Sequence, residues 1–133
     1  YHPGGTLGKR LLTKANDVMQ KTDLPVIDPA TKLGEAVIHI SNGRLGLCVA
    51  LENNKVVGLI TDGDIRRAME NSQDSFFKLT VADIMTKTPK TVSPDTKITE
   101  IEQILHQNKI HSVLVVDEEN QLLGVVDSFR TMI

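Results

Sequence analysis

In the stretch Gly58-Leu59-Ile60-Thr61-Asp62-Gly63-Asp64-Ile65-Arg66-Arg67, a hydroxyl, carboxylates and two guanidinium groups stand next to an apolar run. An ionised carboxylate only accepts hydrogen bonds, a threonine hydroxyl also donates, and a guanidinium presents a planar fork of donors. Such a set suits a polar, anionic ligand. It also has a purely structural reading. Val56, Val57, Leu59 and Ile60 read as a buried strand and Gly63 as the turn that ends it. Asp64 is then the N-cap of a helix beginning at Ile65, its carboxylate accepting the free amides of the first turn.

The elements that must position these residues come from the whole chain. Its 133 residues make one ordinary domain or two very small halves sharing a core, and 40% hydrophobic with 24% charged residues marks a folded, soluble chain. A net charge of -2 lacks the basic footprint of a nucleic-acid binder, and three Phe, one Tyr and no Trp leave few platforms for stacking bases. Cys48 is the only cysteine, so neither a disulfide framework nor a Cys-based zinc site can form. It sits in the apolar run Leu47 to Leu51 and reads as a buried small hydrophobe. The four histidines show no metal-binding spacing, so no metal is expected. No apolar run is long enough to span a bilayer and no signal peptide is visible, which predicts a cytoplasmic protein without membrane contact.

The chain repeats itself. "NDVM" at Asn16 to Met19 matches "ADIM" at Ala82 to Met85 with a shift of 66, the tracts beginning at Thr31 and Thr96 match with a shift of 65, and Gly58 matches Gly124 with a shift of 66. Each copy predicts a short strand near Val26 or Val92, then a helix. Leu33, Ala36, Val37 and Ile40 form the apolar stripe of the first helix, and Ile98, Ile101, Ile104 and Leu105 that of the second. A hairpin follows, with strands Leu47 to Leu51 and up to Ile60, or Val113 to Val116 and up to Val126, around "ENNK" and "DEENQ". A closing helix is expected over Asp64 to Met69 and after Ser128. Met19, Met69 and Met85 are expected to fill gaps between helices.

This tandem order, with "DVM" or "DIM" before each copy and G-h-h-T-x-x-D ending the first, resembles a pair of CBS motifs, the regulatory module also called a Bateman domain. The resemblance runs from about Asn16 to the C-terminus and implies an α/β (α+β) fold of two pseudo-symmetric β-α-β-β-α units packed through their sheets. It places residues 1–15 at the end of a preceding domain, 16–80 in the first motif and 81–133 in the second. Clefts of this family commonly bind adenosine nucleotides, so the resemblance implies that Thr61 and Asp64 hold phosphate and ribose. A carboxylate can take both ribose hydroxyl protons, and Arg66 or Arg67 can face a phosphate.

The second copy reads "GVVDSFR", which puts Asp127 where Thr61 stands and Arg130 where Asp64 stands. An arginine cannot accept ribose protons and a carboxylate repels phosphate, so one competent site per chain is expected. His106, Lys109 and His111 flank the second central strand. His111 is a candidate ligand contact, and the alternative is a solvated helix end whose basic residues complement the helix dipole.

The opening "YHPGGTLGKRLL", running into "NDVM", together with "ITDGDIRR", resembles the junction between a sugar-isomerase domain and a CBS pair in the D-arabinose-5-phosphate isomerases. A start at Tyr1 suggests a piece of a longer protein. The resemblance implies a parent enzyme that interconverts ribulose 5-phosphate and arabinose 5-phosphate for Kdo, the sugar of lipopolysaccharide or capsule. It makes His2 an active-site residue of that parent, with imidazole acid-base chemistry, and leaves this chain non-catalytic by itself. It also implies self-association, as a CBS dimer within a tetrameric parent, and a regulatory ligand such as CMP-Kdo or an adenosine nucleotide. The other reading is a structural pair that dimerises without a ligand, or a CBS regulator of an unrelated enzyme or transporter.

Overall fold

A computed structural model describes residues 6–132. His2 therefore lies outside the described residues. The chain forms two compact units, one running from Pro25 to Pro89 and the other combining residues 6–24 with 90–132.

In the first of these, β1 (Val26–Ile27) lies parallel to β2 (Leu47–Glu52), which pairs antiparallel with β3 (Lys55–Thr61). Between β1 and β2 runs the helix over Leu33–Gly43, buried through Leu33, Ala36 and Ile40 with Val37 packed beside them. This is the stripe expected from the 3.6-residue period. The helix stops because Arg44 turns left-handed at φ 62°. Asn53 and Asn54 both adopt positive φ, the requirement of a type I′ hairpin. A helix over Asp62–Ser72 and a 3-10 segment over Gln73–Lys78 follow, and Ala68 and Phe76 join the core. A single helical turn, Val81–Ile84, then docks on β3, where Leu59 and Thr86 exchange backbone hydrogen bonds of 2.9 and 2.8 Å.

The other unit repeats this plan with β4 (Thr91–Val92), β5 (Ser112–Val116) and β6 (Leu122–Asp127) around a helix over Ile98–Asn108. Helices Thr6–Leu12 and Ala15–Val18 belong to it, the second docking on β6 through the Gln20 and Val125 bridge. In chain order the helices are α1 (Thr6–Leu12), α2 (Ala15–Val18), α3 (Leu33–Gly43), α4 (Asp62–Ser72), α5 (Val81–Ile84) and α6 (Ile98–Asn108). Units and repeats are drawn along different lines. The "NDVM" turn that precedes the first copy packs with the strands of the second, and the "ADIM" turn packs with the strands of the first. The step from a shift of 65 to one of 66 falls in the hairpin, where Leu51 to Val56 corresponds to Val116 to Leu122 with one residue more.

Three expectations are corrected. The closing helix of the first copy begins at Asp62, so Gly63 lies within it and is no turn. Its counterpart in the second copy is a 3-10 turn over Ser128–Thr131. The methionines do more than fill gaps between helices: Met85 and Met19 join clusters that include residues of α3, α4 and α6, and they also lie on strands. Met85 lies over Gly58 of β3 and Met19 over Gly124 of β6, close enough that a Cβ on either glycine would stand 2.3 or 2.7 Å from the sulfur, while Met69 is exposed. A thioether laid flat on a strand needs a glycine beneath it.

Candidate functional site

β3 ends at Thr61, where the chain turns directly into α4. Thr61, not Asp64, is the N-cap. Its hydroxyl accepts from the Asp64 amide at 3.2 Å, while the Asp64 carboxylate reaches back to accept from the Thr61 amide at 2.9 Å. Two amides that an α-helix start leaves unbonded are thus satisfied reciprocally, the geometry of a capping box. The expected single aspartate cap is replaced because a carboxylate three residues into the helix can serve the amide behind it. Asp62 adds a second acidic group to the first turn, favourable at the positive end of the helix dipole. Its amide donates to the Gly46 carbonyl at 3.0 Å, which ties the start of α4 to the entry of β2.

The outer oxygen of Asp64 accepts from Arg67 Nη2 at 2.7 Å. Asp64 is mostly covered, with its side chain 17% exposed, whereas that of Arg67 is 65% exposed. Two of the roughly four acceptor positions of the carboxylate are therefore taken, which leaves room for hydroxyl donors. The Thr61 hydroxyl, used here as acceptor, keeps its own proton to donate. Arg66 is exposed on the next position of the helix. Of the sequence-predicted residues, the structure brings Thr61, Asp64 and Arg67 into direct contact and leaves Arg66 beside them without a bond to either.

The T-x-x-D spacing occurs a second time in the same unit. At Thr80 and Asp83 the Thr80 amide again donates to the carboxylate, at 2.8 Å, and starts α5. These backbone and hydroxyl bonds from Thr80, with the Lys32 ammonium adding to them, hold the Asp83 carboxyl below its ordinary value of 3.8. The motif by itself is a way to start a helix. What distinguishes Thr61 and Asp64 is the place at the end of a buried strand, the partial covering of the carboxylate and the arginine laid on it. Sequence reasoning missed the Thr80 box, although the same spacing signals it, and missed Lys14, whose amide donates to Asp17 at 2.9 Å.

In the other unit Asp127 takes the place of Thr61 and, like it, accepts from the amide three residues on, that of Arg130, at 3.0 Å. The Arg130 guanidinium donates to the Val18 carbonyl at 2.9 Å. The cap is kept and the carboxylate that would face a ribose is gone. His111 belongs to this unit. With His106, Lys109, Ser128, Thr131 and Glu102 it lines an open groove of about 570 Å³ between α6 and the 3-10 turn. Lys109 is the left-handed residue that ends α6, φ 53°, and His106 lies in the last turn of α6. His106, Lys109 and His111 thus meet in one groove at this helix end. Arg10 of α1, another residue not anticipated, bonds Glu102 and the Thr131 carbonyl, the latter at 2.7 Å.

Cys48 is fully buried in β2, and burial, aided by the Asp62 carboxylate, pushes its thiol up to about 11. Among the described residues no group of three or more His, Cys, Asp or Glu is placed to hold a metal ion, and no helix is long and apolar enough to cross a membrane.

The family model for the CBS domain matches twice, at residues 15–71 and 81–129. The chain belongs to the CBS-domain family. Solved CBS pairs share its fold: the pair of protein MJ0100, in complex with 5′-methylthioadenosine and S-adenosylmethionine, superposes with a TM-score of 0.81 at 24% identity, covering 91% of this chain and 94% of that one. CBSX2 in complex with AMP gives 0.79 at 22% identity, covering 90% and 92%. In sequence, the chain is 42% identical over 127 residues to a probable arabinose 5-phosphate isomerase of Haemophilus influenzae, covering 96% of this chain and 37% of that protein. It is 38% identical over 130 residues to the arabinose 5-phosphate isomerase KpsF of Escherichia coli, covering 97% and 39%. The chain thus spans a little over a third of the length of these relatives.

Proposed function

We propose that this CBS pair is the metabolite-sensing part of an arabinose 5-phosphate isomerase and binds the ribose of a nucleotide through Thr61 and Asp64. The observation that carries the site is the mostly covered Asp64 carboxylate, fixed by the Thr61 amide at 2.9 Å with acceptor positions to spare. The relatives named above support the parentage, and the adenosine compounds bound by MJ0100 and CBSX2 support the ligand class. CMP-Kdo, as an activated end-product, is the feedback candidate beside adenosine nucleotides. In this reading the protein works in the cytoplasm, the chain does not catalyse by itself, and His2 serves acid-base chemistry only in the whole enzyme.

The test is a thermal-shift and calorimetry panel of CMP-Kdo, CMP, AMP, ADP and ATP. A binder at a hundredfold excess over its dissociation constant adds about 2.7 kcal/mol of stability, a shift of several degrees. Asp64→Ala should lower affinity roughly ten- to hundredfold through the lost charge-assisted bonds. No heat and no shift with any of the five would reject the sensing function.

A second reading, a scaffold that self-associates, has its own observation: Leu7, Leu11 and Leu12 of α1 are 65%, 55% and 72% exposed. Isolated apolar residues are common on surfaces, but three on one short helix favour a partner. Sedimentation of the wild type against Leu7→Lys with Leu12→Lys tests the self-association, and the ligand panel separates the two readings, because a pure scaffold gives neither heat nor shift.

A further inference from the structure

The Asp64 carboxylate is already half committed. One oxygen belongs to the capping box and stays there as long as α4 begins at Thr61. The other holds Arg67, whose arm folds back over the first turn of the helix. A Cβ at Gly63 would stand 3.1 and 3.3 Å from the two terminal nitrogens of that arm. Gly63 is helical, so no unusual backbone angle calls for a glycine here. The absence of a side chain leaves the arm its path.

We propose that Arg67 is a latch on Asp64 that makes the site select phosphorylated ligands over unphosphorylated ones, an inference that rests on the ribose site proposed above. A ribose diol delivers two O–H donors to the acceptor positions that remain on the carboxylate and crowds the guanidinium at the outer oxygen. A nucleoside gains those two bonds but loosens an ion pair and brings no anion for the arginine. A nucleotide brings its own anion, and the freed arginine, mostly in solvent, pairs with the phosphate as a fork. The cation is handed from a protein carboxylate to a ligand phosphate and no charge is left uncompensated. Lys55, exposed at the other end of β3 and away from Thr61 and Asp64, is the natural control.

Calorimetry of the whole chain with adenosine, AMP, cytidine and CMP tests this. Arg67→Ala should bind the nucleosides about twofold more tightly, since an exposed ion pair is a weak competitor. It should bind the monophosphates about tenfold more weakly for loss of a charge-assisted contact. The preference for phosphate then collapses roughly twentyfold. Arg67→Lys, charged but without the fork, should fall between, and Lys55→Ala should keep the wild-type preference. Equal losses for nucleosides and nucleotides in Arg67→Ala, or an equal collapse in Lys55→Ala, would overturn the latch and leave the ribose site standing. Failure of all four compounds to bind the wild type would overturn the ribose site and the latch with it.

Discussion

Replacing Gly58 by alanine places one methyl group where Met85 lies. An ideal Cβ there stands 2.3 Å from the Met85 sulfur, 2.8 Å from its Cγ and 3.1 Å from its Cε, all inside contact distance. Three atoms of one side chain must retreat by about an ångström, and a core forced to repack in this way loses roughly 1–3 kcal/mol. Truncating the obstacle, Met85→Ala, costs about 2–5 kcal/mol alone. In the double variant there is no clash left, so the two losses should not add, and the coupling should amount to about 2 kcal/mol of relief. Gly124 makes the comparison sharp. There a Cβ meets Met19 Sδ at 2.7 Å and also the backbone oxygen of Gln20 at 2.7 Å. That oxygen accepts from the Val125 amide and cannot move without breaking the bridge. Met19→Ala should therefore rescue Gly124→Ala much less than Met85→Ala rescues Gly58→Ala. Urea titrations at unchanged m-value give the six differences, three for each glycine. Additive losses at Gly58, or equal rescue at both glycines, would refute the role assigned to the methionines.

The Cys48 thiol should resist a disulfide reagent in the native protein and react fully in denaturant, and fast native reaction would contradict its burial. Because its folded value is raised from 9.0 to about 11, its contribution is complete below pH 9 and is lost as pH rises to about 11, on the order of 2 kcal/mol, which denaturation of wild type against Cys48→Ala across that range measures. Asp83 has the opposite sign: its folded value is lowered, so the advantage over Asp83→Asn should be present above about pH 4 and vanish as pH falls through the folded value. Calorimetry with a ligand that binds should give one site per chain, since Arg130 stands where the first copy has Asp64, and two equivalent sites would show that the second copy holds the ligand in another way.

Most of the fold was legible because both copies carry the same periodic pattern. The stripe Leu33, Ala36, Val37 and Ile40 and the hairpin around Asn53 and Asn54 depend on local spacing and turn chemistry, which a sequence displays directly. The exact start of α4 was not legible. A glycine after an apolar run reads as a turn, and only the reciprocal bonds of Thr61 and Asp64 reveal that the helix already includes it. The pairing of each one-turn helix with the strands of the other copy was hidden for a different reason. Gly58 and Gly124 look like ordinary strand glycines until Met85 and Met19, far along the chain, are seen to lie on them.

The chemistry of the site was legible only in part, and the two copies explain why. A helix start needs an acceptor at the cap, and Thr61 and Asp127 both supply one to the amide three residues on. That requirement tolerates a hydroxyl or a carboxylate, so it preserves the fold while the chemistry changes. A ribose imposes a separate demand at the third helical position, where only an acceptor serves, and Asp64 meets it while Arg130 turns to a backbone carbonyl. The exposed box at Thr80 and Asp83 satisfies the spacing with its carboxylate in solvent. Spacing therefore identifies a helix start, and the covering of the carboxylate together with its arginine sets the start at Thr61 apart from the one at Thr80.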